Sequence, residues 1–239
     1  MGTATPLPLS NLASLTDLTI WGCEDLRAQG RLTKLTVRGT PNFFAGPEPP
    51  QPHEQEFSSS SSKLQELETD DVAGVLAAPI CTLLSSSLTE LSFYKDEEVE
   101  RFTKEQEDAL QLLTSLEDIT FSDRDKLQCL PAGLNGLPNL KRLSIYNCPA
   151  IRSLPKDGLP SSLQELEIYY CPAIQSLPKD CLPISLQKLE IHSCPAIRSL
   201  PKVNDLPSSL RELSVWGSES EELRRQCRKL IGIIPVVYA

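Results

Sequence analysis

Leu140-Lys-Arg-Leu143-Ser-Ile145 returns three times in the second half of the chain, as Leu163-Gln-Glu-Leu166-Glu-Ile168, Leu186-Gln-Lys-Leu189-Glu-Ile191 and Leu210-Arg-Glu-Leu213-Ser-Val215. The opening leucines lie 23, 23 and 24 residues apart. Apolar residues fill the first, fourth and sixth positions of every copy. The last three positions alternate with the period of a β-strand, sending Leu and Ile to one side and the residues between them to the other. A unit this short cannot bury its apolar side alone, so the pattern predicts a solenoid of stacked coils.

Five earlier copies extend the array: Leu15-Thr-Asp-Leu18-Thr-Ile20, Leu32-Thr-Lys-Leu35-Thr-Val37, Leu64-Gln-Glu-Leu67-Glu-Thr69, Leu88-Thr-Glu-Leu91-Ser-Phe93 and Leu116-Glu-Asp-Ile119-Thr-Phe121. Nine phrases with this spacing mark a leucine-rich repeat. The expected fold is an α/β solenoid, an arc with a parallel β-sheet on its concave side and irregular or short-helical returns on its convex side.

The returns differ between the halves. Ile151-Arg-Ser-Leu154-Pro155 and Ile197-Arg-Ser-Leu200-Pro201 are too rich in proline for regular helix and predict extended turns. In the front half, Thr103-Lys-Glu-Gln106 is a capping box that opens a helix running toward Leu113. Asp70 or Asp71 is the expected cap of a helix over Val72 to Ala78, with Pro79 starting a second turn.

Residues 1–40 carry the first visible repeats with no N-terminal cap. Residues 41–62, with five prolines and a run of five serines, read as a disordered insertion. Residues 63–217 hold the remaining repeats. Residues 218–239 read as a helical cap and tail, with Ser218-Glu-Ser-Glu221 as a capping box and Leu223, Cys227 and Leu230 on one helix face. An uncapped apolar start leads to the expectation that the chain is the tail of a longer protein or a truncated gene product.

Charge and cysteine usage narrow the function classes. The chain of 239 residues has a net charge of −9, and the stretch Lys63 to Asp125 alone carries 16 acids against 5 bases. Binding to a nucleic-acid backbone needs a basic stripe, so nucleic acid is not an expected partner. Four of the 8 cysteines, Cys23, Cys148, Cys171 and Cys194, fall three residues after the last strand apolar position. That slot faces the interior, where small thiols pack well, and a ladder of thiols fits a reducing compartment. Zinc is the rival reading, but ligands strung along a line do not converge on a tetrahedron. No signal peptide, membrane span, Asn-x-Ser/Thr acceptor or myristoylation pattern (Pro6 breaks it) is present. The expected location is the cytoplasm, with nuclear entry open.

No catalytic constellation emerges. The two histidines are His53, in the Pro/Ser-rich insertion, and His192, on a strand. Neighbouring Ser193 and Cys194 gain no base from His192, because adjacent strand residues point to opposite sides. The paired Glu97 and Glu98 lie in a charged return with nothing to desolvate one of them. No catalytic, cofactor-binding or metal-binding residue is assigned.

The outward strand positions are the candidate site. One column, just after the last apolar strand residue, reads Trp21, Arg38, Asp70, Tyr94, Ser122, Tyr146, Tyr169, His192 and Trp216. Aromatics on an exposed face dominate protein interfaces; the same residues also fit plain cross-strand packing. A companion column reads Asp17, Lys34, Glu66, Glu90, Asp118, Arg142, Glu165, Lys188 and Glu212. Its run Glu66, Glu90 and Asp118 suits a basic partner, or simply a solvated face.

The phrase Cys148-Pro-Ala-Ile151-Arg-Ser-Leu154-Pro-Lys-Asp-Gly158-Leu-Pro-Ser-Ser-Leu163 resembles the C-terminal repeats of plant intracellular nucleotide-binding leucine-rich-repeat immune receptors, those of grasses above all. Leu64-Gln-Glu-Leu-Glu-Thr-Asp-Asp71 and Arg225-Gln-Cys-Arg-Lys-Leu-Ile-Gly232-Ile-Ile-Pro235 are similar to the same group. The resemblance implies a module for defence that senses a pathogen effector or a guarded host protein and restrains a nucleotide switch. Its implied partners are those proteins or the nucleotide-binding domain of the same receptor. The switch itself is missing: there is no Gly-x-x-x-x-Gly-Lys-Ser/Thr loop, so no cofactor carries over. The alternative is the substrate-recognition arm of a ubiquitin-ligase adaptor, for which an F-box upstream would be the sign.

Overall fold

The computed structural model describes residues 17–21, 32–39, 43–44, 62–95, 99–155, 157–177, 182–218 and 220–239. One parallel sheet runs through them, its strands in chain order: β1 (Asp17–Trp21), β2 (Lys34–Arg38), β3 (Glu66–Thr69), β4 (Glu90–Tyr94), β5 (Asp118–Ser122), β6 (Arg142–Tyr146), β7 (Glu165–Tyr169), β8 (Lys188–His192), β9 (Glu212–Trp216) and β10 (Val236–Tyr238). Each strand pairs with the next, so the chain is an α/β leucine-rich-repeat solenoid whose sheet lines the concave side. The nine phrases all form strands. The tenth strand comes from the tail and pairs Val236, Val237 and Tyr238 with Glu212, Leu213 and Ser214.

Register converts the sequence phrase into interior columns. Leu67, Leu91, Ile119, Leu143, Leu166, Leu189 and Leu213 stand in one row, and Thr69, Phe93, Phe121, Ile145, Ile168, Ile191 and Val215 in the next. All are buried. The one polar residue of that second row, Thr69, is kept there because its hydroxyl accepts from the Asp71 amide at 3.0 Å. In the wider front coils Phe93, Phe102 and Phe121 fill the extra volume, with ring centroids 5.7 to 6.4 Å apart.

Polar side chains stitch the coils where the leucines cannot. Ser162, Ser185 and Ser209, each just before a strand phrase, donate to the carbonyls of Leu140, Leu163 and Leu186 at 2.6 to 2.8 Å. Cys148, Cys171 and Cys194 are free, buried thiols. Each donates to two carbonyls, one from its own coil and one from the coil before, as Cys148 does to Tyr146 and Phe121 at 3.4 and 3.6 Å. The interior ladder is thus a set of inter-coil hydrogen bonds. Cys23 lies outside the described residues.

The helices follow their caps. Asp71 accepts from the Gly74 amide and starts α1 (Val72–Val75); α2 (Ala78–Leu84) follows, with Pro79 in its first turn. Thr103 and Gln106 form the reciprocal box that starts α3 (Lys104–Leu110). At α4 (Glu221–Leu230) the cap is Ser220, which accepts from the Leu223 amide, and not Ser218 as the box spacing suggests. Ser218 takes the next inter-coil slot after Cys194 and is buried, its hydroxyl accepting from the Ser220 amide. Leu223, Cys227 and Leu230 do form the buried face of α4. Of the insertion read at residues 41–62, Phe43, Phe44 and Ser62 are described. The two rings meet edge to face at 4.8 Å and pack on the core, and the Phe44 amide donates to Asp71. The rest of that stretch lies outside the described residues.

Seven strands, β2 and β4 to β9, are closed by a sharp corner. Gly39, Lys95, Asp123, Asn147, Tyr170, Ser193 and Gly217 all have positive φ, and five of their amides donate across to the next strand's end at 2.8 to 3.0 Å. Five of the seven are not glycine. The recurring hydrogen bond offsets a left-handed cost of about 1–2 kcal/mol per residue.

Candidate functional site

The pleat gives the concave face three outward columns. The first and third are the candidate columns read from the sequence; the middle one, placed outward by the same alternation, was not among the candidate site residues. It holds Thr36, Glu68, Ser92, Thr120, Ser144, Glu167, Glu190 and Ser214, in register across β2 to β9. The five-residue strands begin at the residue between the two leucines, so three side chains of each face outward.

Register confirms the neighbours within the first column: Asp17, Lys34, Glu66, Glu90, Asp118, Arg142, Glu165, Lys188 and Glu212 follow one another strand by strand. Its charges are unevenly met. Lys34 pairs with Glu66 at 2.6 Å. Arg142 is shared between Glu165 at 2.8 Å and Asp118 at 3.3 Å. Lys188 is shared between Glu190 at 2.8 Å and Glu167 at 3.7 Å, both of the middle column. Among the described residues, Glu90 and Glu212 have no ion pair.

That surplus of carboxylates appears in their acidities. Asp118 is pushed up to about 6 by burial, with Glu90, Glu167 and Glu165 adding to the effect and Arg142 opposing it. Burial also raises Glu190, helped by Glu167, Glu212 and Glu165. The face from β4 to β9 holds six acids and two bases in its first two columns.

The third column is an aromatic rail. Tyr94, Ser122, Tyr146, Tyr169, His192 and Trp216 are successive partners. Tyr146 is 44% exposed and Trp216 52% exposed. Tyr169 lies 6.2 Å from the Tyr146 ring and 4.7 Å edge-on from the His192 imidazole, and its hydroxyl donates to Glu190. Tyr170, absent from the candidates because it sits at the corner and not on the strand, adds a ring 5.4 Å from Tyr146. At the other end Arg38 places its guanidinium 4.2 Å over the Tyr94 ring and pairs with Glu68. Asp70 falls beyond the end of β3. Trp21 is in register with Arg38, but its side chain lies outside the described residues.

His192 Nε2 is 2.9 Å from the Ser214 hydroxyl. Ser214 is buried, and among the described residues no carboxylate is hydrogen-bonded to His192, so the pair lacks the third group that orients a general base. Burial lowers the His192 pKa from its ordinary value. Among the described residues no group of three His, Cys, Asp or Glu is arranged to hold a metal ion. No helix of these residues is long and apolar enough to cross a membrane. Two recesses among the described residues, about 630 and 830 Å³, lie at the strand-entry rim and among the returns, lined by residues such as Ser87 and Thr89 in one and Cys129 and Arg152 in the other.

These features define a leucine-rich-repeat solenoid whose most chemically featured surface is a concave sheet. No known protein family matches the chain, and no curated protein does. Among solved structures the chain is similar to the leucine-rich repeat domain of the type III effector XopL, at 16% identity and a TM-score of 0.49, over 91% of this chain and 81% of that one. At that distance the fold assignment rests on the strand ladder and its interior columns.

Proposed function

We propose that this chain is a protein-recognition module of a plant immune receptor, sensing a pathogen effector or a guarded host protein and restraining a nucleotide switch. One observation carries the recognition part: an in-register aromatic rail, open at Tyr146 and Trp216 and flanked by carboxylates, on the sheet face that no other element of the described residues covers. Broad rings with few rotors lose little entropy on binding, and repeat arcs present such faces as extended docking surfaces. The immune role is supported by the resemblance of the Cys148–Leu163 and Arg225–Pro235 phrases. The repeats at 63–217 form the working array, and residues 218–239 close it.

The experiment is capture of binding proteins from grass leaf tissue by the full chain and by a Tyr146→Ala/Tyr169→Ala/Trp216→Ala variant, with circular dichroism on both. Loss of captured protein with an unchanged spectrum supports the reading. Unchanged capture rejects it. Co-expression with a constitutively active nucleotide-switch module tests restraint: the chain should suppress that module's cell-death signal, and failure to do so removes the immune assignment.

A further inference from the structure

The face contains a worked example of how it holds a cation. Arg38 reaches from the third column of β2 across β3. Its guanidinium lies 4.2 Å over the Tyr94 ring on β4 while Nε donates to Glu68 Oε1 on β3 at 2.8 Å. The holder is therefore a middle-column glutamate with a third-column ring one strand further on. A guanidinium suits it, since a planar ion can stack and donate in its own plane at once.

The same pair of positions recurs at the other end of the arc. Glu190 on β8 is followed by Trp216 on β9, and Glu167 on β7 by His192 on β8. There the position equivalent to Arg38 is filled by Tyr169 and by Tyr146, not by arginine. Trp216 is half exposed, and Glu212, in register with Lys188 on the first column, has no ion pair among the described residues. Among the described residues, Lys188 is shared by Glu167 and Glu190, and Arg142 by Glu165 and Asp118, which leaves the four carboxylates Glu165, Glu167, Glu190 and Glu212 in excess. A cation arriving here meets uncompensated negative charge and an open ring together.

We infer that the β6–β9 face docks an arginine-bearing segment of a protein partner, with a guanidinium stacked on Trp216 and paired with Glu190 in place of the Tyr169 hydroxyl, as Arg38 is held by Tyr94 and Glu68, and with Glu212 adding unmet negative charge. This deepens the recognition reading above and rests on it for the nature of the partner. Charge complementarity selects a cationic occupant, and the ring selects arginine over lysine. Successive strands are about 4.8 Å apart. The Glu167/His192 pair accepts a second arginine from an extended segment crossing the strands.

The test titrates the full chain with an alternating Arg-Ser octapeptide, its Lys-Ser counterpart and its citrulline-Ser counterpart, read by calorimetry and by Trp216 fluorescence. The Arg peptide should bind at least about tenfold tighter than the citrulline peptide and several-fold tighter than the lysine peptide. Glu190→Gln/Glu212→Gln and, separately, Trp216→Ala should each weaken it by about tenfold. Glu105→Gln/Asp108→Asn on α3 removes the same charge from a convex helix and should leave it unchanged. No binding, equal binding of the lysine peptide, or an equal loss from the α3 pair overturns the proposal, the last by reducing it to net-charge attraction. A concentration-dependent dimer that Trp216→Ala dissolves would assign the face to a second copy and also overturn it. Retained capture of tissue protein by the triple alanine variant, with the peptide results as expected, overturns the recognition reading and not the guanidinium site. The reverse pattern overturns the guanidinium site alone.

Discussion

Arg124 and Cys148 occupy successive rungs of one interior column, each three residues past the last apolar residue of its strand, and both are fully buried. Where β6, β7 and β8 are followed by cysteine at that slot, β5 is followed by an arginine. The Cys148 thiol is held below its ordinary range first by its hydrogen bond with Cys171 and then by the Arg124 amide and charge. The column is thus a place where the array tolerates a cation inside.

Replacing Arg124 with alanine removes one of the largest fully buried side chains from the interior column. A loss of about 3 kcal/mol is expected, measured by urea unfolding. A loss of a few tenths would show that the coil does not depend on Arg124.

Asp118 gives the face a pH signature. Its folded value of about 6 lies above the ordinary 3.8. Between those values the native state binds the proton that the unfolded chain has lost, so the contribution of Asp118 to stability grows as pH falls through 6 and is full below about 4. Asp118→Asn should therefore raise the thermal midpoint at neutral pH and leave it unchanged below about pH 3, where both states are protonated. A lower midpoint at neutral pH would mean that the pair with Arg142 outweighs burial.

Gly217 and Gly232 separate backbone strain from crowding. Both have positive φ, but a Cβ on Gly217 would stand 2.8 Å from the Ser193 hydroxyl and 3.1 Å from Ser193 backbone, while one on Gly232 would meet nothing within 4 Å. Gly232→Ala is expected to cost about 1 kcal/mol and Gly217→Ala about 2 kcal/mol or more. Equal losses in chemical denaturation would show that the stacked corners do not press on one another.

Ser220→Ala is expected to cost about 1 kcal/mol and to fray the first turn of α4. Amide exchange at Leu223, whose N–H donates to the Ser220 hydroxyl at 3.2 Å, should accelerate. Unchanged exchange would show that packing alone holds that turn.

The strand phrases were legible because apolar side chains at a fixed period leave one way to stack. Every one of the nine became a strand, and the thiol slot was readable for the same reason. The column holding Glu167 and Glu190 was placed outward but not named as part of the site, because the residue between the last two apolar positions is Ser or Thr twice as often as Glu. Their electrostatic weight comes from Lys188 and Glu212 on other strands, and that needs the register. Tyr170 and Ser193 escaped differently: neither residue type announces a left-handed corner, which the inter-strand hydrogen bond imposes. At α4 two serines fit the cap, and the structure takes Ser220, with Ser218 buried in the slot that follows Cys194. The pairing of Val236–Tyr238 was hidden because three residues carry too little alternation to read.

The most direct measurement is hydrogen–deuterium exchange of the full chain, alone and saturated with the protein that it captures and that the triple alanine variant loses. Slowed exchange concentrated in β6 to β9, with α3 and the convex returns unchanged, is the predicted result. Protection confined to α3 or to the returns around Cys129 and Arg152, with those four strands unaffected, would contradict it.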